Sequence, residues 1–527
     1  MKIFSRRVCP LALGAILALG LTPSWANNLS VSNVSLGSRD LNANTVVVKF
    51  NVSQENSWRN KINHDAVWLT VRLYDPNGIP VHKRLCQMSG AGVTPTGFSA
   101  GTQNGMEVYV PSDKAGAFLR QSQNTTPGSV ASENVQVTID YSTCGFAAND
   151  QIMASVFGLE TVYIPQGAFY AGDNNTSAGT LNQGSADADP WYVNSESALA
   201  VSNPAANGFR YVSANNPGED ATGVSFNIPA GFPKGYGAFY VMKYELTEGQ
   251  WVEFINSLPS AAARSRHDLT DSGHKNSDTV LYRNTIACSG APLVCSSQRP
   301  NRSLGYLSWM DVAAFLDWAA LRPVTELEFE KVARGPVLPI NGEFTWGTTD
   351  IVAVAGLSGT DEDGTETVTT SSGNAHYNNT LLSGGDSSLG AQYQQGPLRS
   401  GIFSSDSLTR VSSGAAYYGV MEMSGNLKEW VVTLGNSAGR NFSGVNGNGI
   451  LSGDSGYEGN ADAANWPGLD GVATRGVTGA AGAGLRGGSW GDIADRLRIS
   501  DRFEAALETS QAVNTYGGRG ARTYDGQ

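Results

Sequence analysis

The residues with chemistry to offer in this 527-residue chain are few: five cysteines, five histidines and a set of arginines near the carboxyl end. Cys9 sits in an apolar leader, which leaves Cys86, Cys144, Cys288 and Cys295. Their separations lack the paired CxxC spacing of a zinc site, and an exported compartment permits disulfides. Four cysteines allow three pairings. Placement along the chain makes Cys86–Cys144 and Cys288–Cys295 the simplest expectation, the first inside an amino-terminal domain and the second a local loop staple. The histidines His64, His82, His267, His274 and His376 are scattered and show no spacing of two histidines with a carboxylate. Toward the end of the chain Arg486, Trp490, Arg498, Asp501, Arg502 and Arg519 form a cluster with two readings. The arginines could pair with carboxylates and fix the terminal strands, or they could stand with the aromatic around a ligand groove.

The elements that must position these residues begin after a targeting segment. Lys2, Arg6 and Arg7 precede an apolar stretch from Val8 to Leu21, and Ser24-Trp25-Ala26 offers small residues for cleavage, so residues 1–26 read as a signal peptide. The apolar run is too short for a membrane span, and no later run approaches the required length of about 20 residues. Cleavage leaves 501 residues and moves the formal charge from -12 to -15. An acidic surface argues against a nucleic-acid partner and suits solubility outside the cell, and calcium ions. The chain is long enough for two or three hydrophobic cores.

Residues 27–160 are expected to form a β-sandwich domain. The runs 46–52, 66–74 and 135–141 are rich in β-formers, the last alternating cleanly, with polar segments between them. A second module begins near Tyr163. Within it Thr247 and Gln250, Ser308 and Asp311, and Thr325 and Glu328 each fit a capping box, which predicts helices over 248–257, 309–320 and 326–334. Glu326, Glu328 and Glu330 alternate around the third helix, so burying any of them requires a partner, for which Arg322 and Arg334 are candidates. From 336 to 485 glycine-rich loops dominate, and so much loop must be pinned by side chains or ions, which points toward bound calcium.

Several segments together are specific enough to suggest a family. Tyr240 to Thr247, Leu307 to Asp311, Arg322 to Glu330, Gly419 to Trp430 and Leu485 to Trp490 occur in an order that resembles the formylglycine-generating enzyme (sulfatase-modifying factor) family, and Gly517 to Arg522 is similar to its closing motif. The resemblance covers roughly residues 160–522. It implies an α+β fold in which the β-sandwich is followed by a loop-rich, C-type-lectin-like domain over 161–527, in an exported bacterial protein.

The family's oxygen-dependent enzymes hold copper on a cysteine pair downstream of the Arg-Gly-Gly-Ser motif. Here residues 491–502 contain no cysteine, and none follows Cys295. Copper(I) needs thiolates, so the formylglycine reaction and copper are not expected. The resemblance also implies structural calcium at Glu422, Gly425, Leu427 and Glu429, with a second site at Asn374 and Asp386. It makes the Arg486 to Arg519 cluster a lectin-like groove or a structural network. The functional expectation is a noncatalytic binding or structural protein that is secreted, periplasmic or on the outer surface, with a protein, peptide or glycan ligand. The alternatives are a repurposed oxidoreductase of the same superfamily and a self-assembling envelope layer or filament subunit.

Overall fold

A computed structural model describes residues 29–526 apart from 175–180, 184–188, 203–207, 212–216, 221–224, 359–366, 371–372, 384–393 and 405–408. The expected leader therefore lies outside the described residues. No helix among those described is long and apolar enough to cross a membrane.

The amino-terminal region is rich in β-sheet, and a looped region of sheet and helix follows it. In the first, the strands Ser30–Asp40, Thr45–Arg59, Thr125–Asp140 and Gln87–Met88 form one sheet in that order. A second sheet runs from Gly92–Val93 through Met106–Val110, Ala117–Gln121, Asp65–Tyr74 and Met153–Ile164. Val46, Val48, Phe50, Val135, Val137 and Ile139 of the first sheet bury themselves against Val67, Leu69, Val71 and Leu73 of the second. Those positions are two apart because successive side chains on a strand point to opposite faces.

The strand Asp65–Tyr74 is buried on both faces. Its odd-numbered residues face the sandwich core, while Trp68 belongs to the large core of the second module. Trp68 Nε1 donates to Ala319 O at 2.9 Å, and Arg72 donates to Trp318 O. Burial on two sides explains why this segment reads as nearly continuous hydrophobicity instead of strict alternation.

The second sheet does not end at the sandwich. Met153–Ile164 pairs with Phe239–Met242, from Thr161 opposite Met242 to Ile164 opposite Phe239, and the sheet continues through Gly520–Thr523 to Arg322–Pro323. One hydrogen-bonded surface thus carries strands from both ends of the chain.

The three capping boxes form, with both reciprocal bonds present, at the helices Glu248–Ser257, Trp309–Trp318 and Glu326–Arg334. The middle helix stops two residues before the predicted 320, with Ala320 in the left-handed region at φ 55°. Gly335, at φ 72°, ends the third.

Candidate functional site

The strands that carry the terminal arginines form a small sheet of their own. Lys428–Val432 pairs antiparallel with Ala483–Arg486, setting Glu429 opposite Arg486, and parallel with Tyr516–Gly517. After Arg486 the chain turns through Gly487 and Gly488, at φ 88° and 65°. A Cβ on Gly487 would stand 2.8 Å from the Met423 carbonyl oxygen, and one on Gly488 would stand 2.6 Å from a Leu497 methyl. Only glycine meets both demands. Ser489 N and Oγ then donate to Asp492 Oδ2 at 2.9 and 2.5 Å, which closes the turn and presents Trp490.

The structure divides the cluster of Arg486, Trp490, Arg498, Asp501, Arg502 and Arg519. Arg486 and Arg502 are buried together on Glu326: Arg502 Nε and Nη2 donate to it at 2.6 and 3.0 Å, and Arg486 Nη1 at 3.1 Å. Arg486 also reaches Glu330 at 2.8 Å, Arg334 pairs with Glu330 at 3.3 Å, and Arg322 grips Glu328 with two bonds of 2.8 and 2.6 Å. Each acidic residue of the third helix thus has the partner that its burial requires. Burial alone would raise the Glu326 carboxyl, but Arg502 and then Arg486 outweigh it and hold it below its usual range. Arg498 pairs with Asp495 and Asp501 with Arg496, both pairs partly open to solvent.

Arg519 takes both oxygens of Glu429 at 2.6 Å and also donates to the carbonyls of Met242, Lys243 and Met421. Burial disfavours the guanidinium charge, and Glu429 outweighs that penalty. Glu245 and Glu422 lie close by. Burial, reinforced by Glu429 and Glu422, lifts the Glu245 carboxyl well above its usual range. Burial also raises Glu422 to about 7, against the pull of Arg519.

These contacts correct the expectation of calcium. The carboxylate of Glu429 is occupied by a guanidinium, and Glu422 Oε1 accepts from Gly401 N at 3.0 Å. Gly425 N donates to Gly487 O, and Leu427 N to Glu245, so the turn is held from within the protein. At the second expected site, Asn374 staples two loops through Val352 N and Val411 O, and Asp386 lies outside the described residues. Among the described residues the one grouping of three metal-ligating side chains is elsewhere, at Asp268, Cys288 and Cys295. Its sulfurs are bonded to each other.

Cys86 is bonded to Cys144 and Cys288 to Cys295, the latter joining the paired strands Ala287–Ser289 and Val294–Ser296. No described cysteine offers a thiolate, so formylglycine-generating chemistry has no ligand for its copper and no nucleophile.

Two arrangements were not visible in the sequence. His267 Nδ1 and His274 Nε2 each stand 2.9 Å from Asp311, the residue that also completes the Ser308 capping box. Burial disfavours the charged carboxylate, yet His274 and His267 hold Asp311 far below its usual range. The separations are those of hydrogen bonds, and the group serves to tie residues 267–274 to the Trp309–Trp318 helix.

The other is an open depression of about 300 Å³ beside the Gly-Gly-Ser-Trp turn. Tyr282 stacks on Trp490 with centroids 5.5 Å apart. Asn379, Gln395, Asn514, Lys428 and Asp492 surround the pair. Lys428 bridges Asp492 at 3.2 Å and Glu504 at 2.6 Å. Trp490 lines this depression but is itself buried, with its Nε1 donating to Asn514 O at 3.3 Å, so Tyr282 is the aromatic that the surface presents; Arg486, Arg502 and Arg519 are held in the interior. Tyr282 is more than 200 positions from Trp490 in sequence, and no local pattern signals their meeting.

The profile of the "Sulfatase-modifying factor enzyme 1-like domain" matches residues 233–524. No curated protein matches the chain. Among solved structures, Treponema denticola variable protein 1 aligns over 70% of this chain and 96% of its own, with 14% identity and a TM-score of 0.30.

Proposed function

The chain belongs to the sulfatase-modifying factor enzyme 1-like family, and from that premise we propose that it is a noncatalytic, exported binding protein whose ligand seats in the Tyr282–Trp490 depression. The observation that carries this reading is the composition of that surface. Tyr282, part exposed and stacked on the buried Trp490, supplies one aromatic face, and amides with one paired lysine and carboxylate supply hydrogen bonds around it. Such a surface suits a peptide or glycan, whose polar groups need partners when they are desolvated. It contains no thiol, and the amides on its rim are neither nucleophiles nor bases. We propose the division of the chain as a signal peptide over 1–26, a sandwich over 27–160 that acts as a support, and a ligand-bearing module over 161–527. Secretion, a periplasmic location or display on the outer surface follows from the leader.

The test is binding of the mature protein to peptide and glycan arrays, with Tyr282→Ala and Asp492→Ala compared with the wild type. Loss of that aromatic face should weaken any specific binding by about tenfold or more, as expected when an aromatic anchor is truncated. Hits that both variants retain unchanged would refute this site.

A further inference from the structure

A second cavity, of about 500 Å³, lies at the seam between the sandwich and the loop-rich module and shares no residue with the Tyr282 depression. His82, Arg84 and Leu85 contribute one wall, Leu258 and Trp318 another, and Leu451 a third. Leu85, Leu258, Trp318 and Leu451 make it a place for an apolar body.

The charge around it is lopsided. Arg72, buried in the middle of the Asp65–Tyr74 strand, stacks 3.9 Å from the Trp318 ring centroid and donates to the Trp318 carbonyl. Among the described residues its Nε and Nη1 have no partner, and neither has Trp318 Nε1. Arg264 donates to four carbonyls, of Leu258, Leu293, Val81 and Asn256. Arg84 donates to the carbonyl of Cys144 at 3.3 Å. Among the described residues none of these three arginines is paired with a carboxylate. The nearby Lys83 is answered by Glu253 at 2.5 Å, and Glu458, also on the cavity wall, accepts from Gly456 N. His82 adds no charge, because burial and then Arg84, Arg72 and Arg264 press it down to about 4. Arg84 is on the cavity wall, while Arg72 and Arg264 are buried behind it and add their positive charge from there; a guanidinium without a counterion beside a partly desolvated space favours an anion.

We propose that this cavity binds a small organic anion, a carboxylate or sulfonate carried on an apolar body. The leucines and Trp318 take the body, and Arg84 takes the charge. The ligand would sit between strands and loops of both modules, so its binding would also hold them together.

The test uses the mature protein and two fluorescent probes that differ in charge, 8-anilinonaphthalene-1-sulfonate and the uncharged N-phenyl-1-naphthylamine. The sulfonate should bind saturably at one site per chain, and the neutral probe at least tenfold more weakly. Gly453 is on the cavity wall, and a Cβ there meets no atom within 4 Å. Gly453→Trp therefore fills the space without forcing the backbone and should weaken sulfonate binding about tenfold. Arg84→Gln, at an exposed position, should do the same through loss of charge. Circular dichroism identical to the wild type shows that each variant is folded, and either variant alone decides the matter if the other is not. Absence of saturable sulfonate binding, equal binding of the two probes, or binding untouched by the folded variants would overturn the proposal.

Discussion

Replacing Glu326 with alanine asks whether the buried arginines hold the fold or await a ligand. The carboxylate accepts five hydrogen bonds: two from Arg502, one from Arg486, one from Leu434 N at 2.7 Å and one from Thr433 Oγ1 at 3.1 Å. Its removal leaves Arg486 with Glu330 and Ile499 O, and Arg502 with Glu219 and Tyr211. Two guanidiniums would then share less negative charge in a site that water does not reach. Breaking a buried pair costs about 3–5 kcal/mol, and a stranded backbone amide adds about 1 kcal/mol or more. Glu326→Ala should therefore lower the unfolding free energy by roughly 4–6 kcal/mol, measured by urea titration of tryptophan fluorescence at pH 7. Asp495→Ala, which removes the solvated partner of Arg498, should cost no more than about 0.5 kcal/mol in the same assay. The pH dependence has a definite sign. Arg502 and Arg486 hold the Glu326 carboxyl below its ordinary 4.5. Its contribution is therefore complete above that pH and is lost as the pH falls below it, so wild type and variant should converge in acid. A loss under about 1 kcal/mol at neutral pH would refute the claim that these arginines are structural.

Three further outcomes follow from the same contacts. Replacing Cys86 and Cys144 with alanine opens a link of sequence separation 58 and should cost about 4 kcal/mol, whereas replacing Cys288 and Cys295, of separation 7, should cost about 2.5 kcal/mol; urea midpoints in the reversed order would contradict the chain-entropy account. His376 is pressed down to about 3 by burial and then Arg283, so it contributes stability above its ordinary 6.5 that is lost as the pH falls. The cost of His376→Gln should then shrink by about 2 kcal/mol between pH 7 and pH 5, and a constant difference would count against it. Glu422 runs the other way, because its raised value of about 7 gives stability below 4.5 that is lost as the pH rises through 7. Glu422→Gln should gain about 3 kcal/mol on the wild type between pH 4.5 and pH 8 in thermal or urea melts, and a gain independent of pH would be inconsistent with a buried titrating carboxyl.

Local rules carried much of the fold. The three capping boxes are four-residue devices, and each formed where its spacing placed it, because both partners lie on the same turn of helix. The alternation in Val135 to Tyr141 likewise specifies one buried face. The sheet that joins the two regions was not legible. Pairing Met153–Ile164 with Phe239–Met242 depends on a separation of some 80 residues, and strand edges carry no sequence label for their partner. Arg72 is hidden for a similar reason: in sequence it is one polar residue in a mostly apolar strand, and only the helix packed on that face makes it a buried cation.

The site shows where reasoning from composition goes astray. Long glycine-rich loops do need pinning, and an acidic chain makes calcium a natural candidate for the task. Here the pins are carboxylates that project from well-capped elements into the loops. Asp317 gathers the amides of Asn448, Asp462 and Ala463 at 2.9, 2.9 and 3.2 Å. Glu245 takes Leu427 N, and Glu326 takes Leu434 N. A carboxylate that accepts several backbone amides plays the part for donors that a metal ion plays for carbonyls, and composition cannot tell the two apart because both call for acidic residues. The difference lies in the partners. An ion would need oxygens turned inward, whereas here amide nitrogens and guanidiniums converge on the acids. Arg486, Arg502 and Arg519 therefore belong to the interior while Arg498 stays at the surface, and the charge pattern did not reveal the depression beside Tyr282.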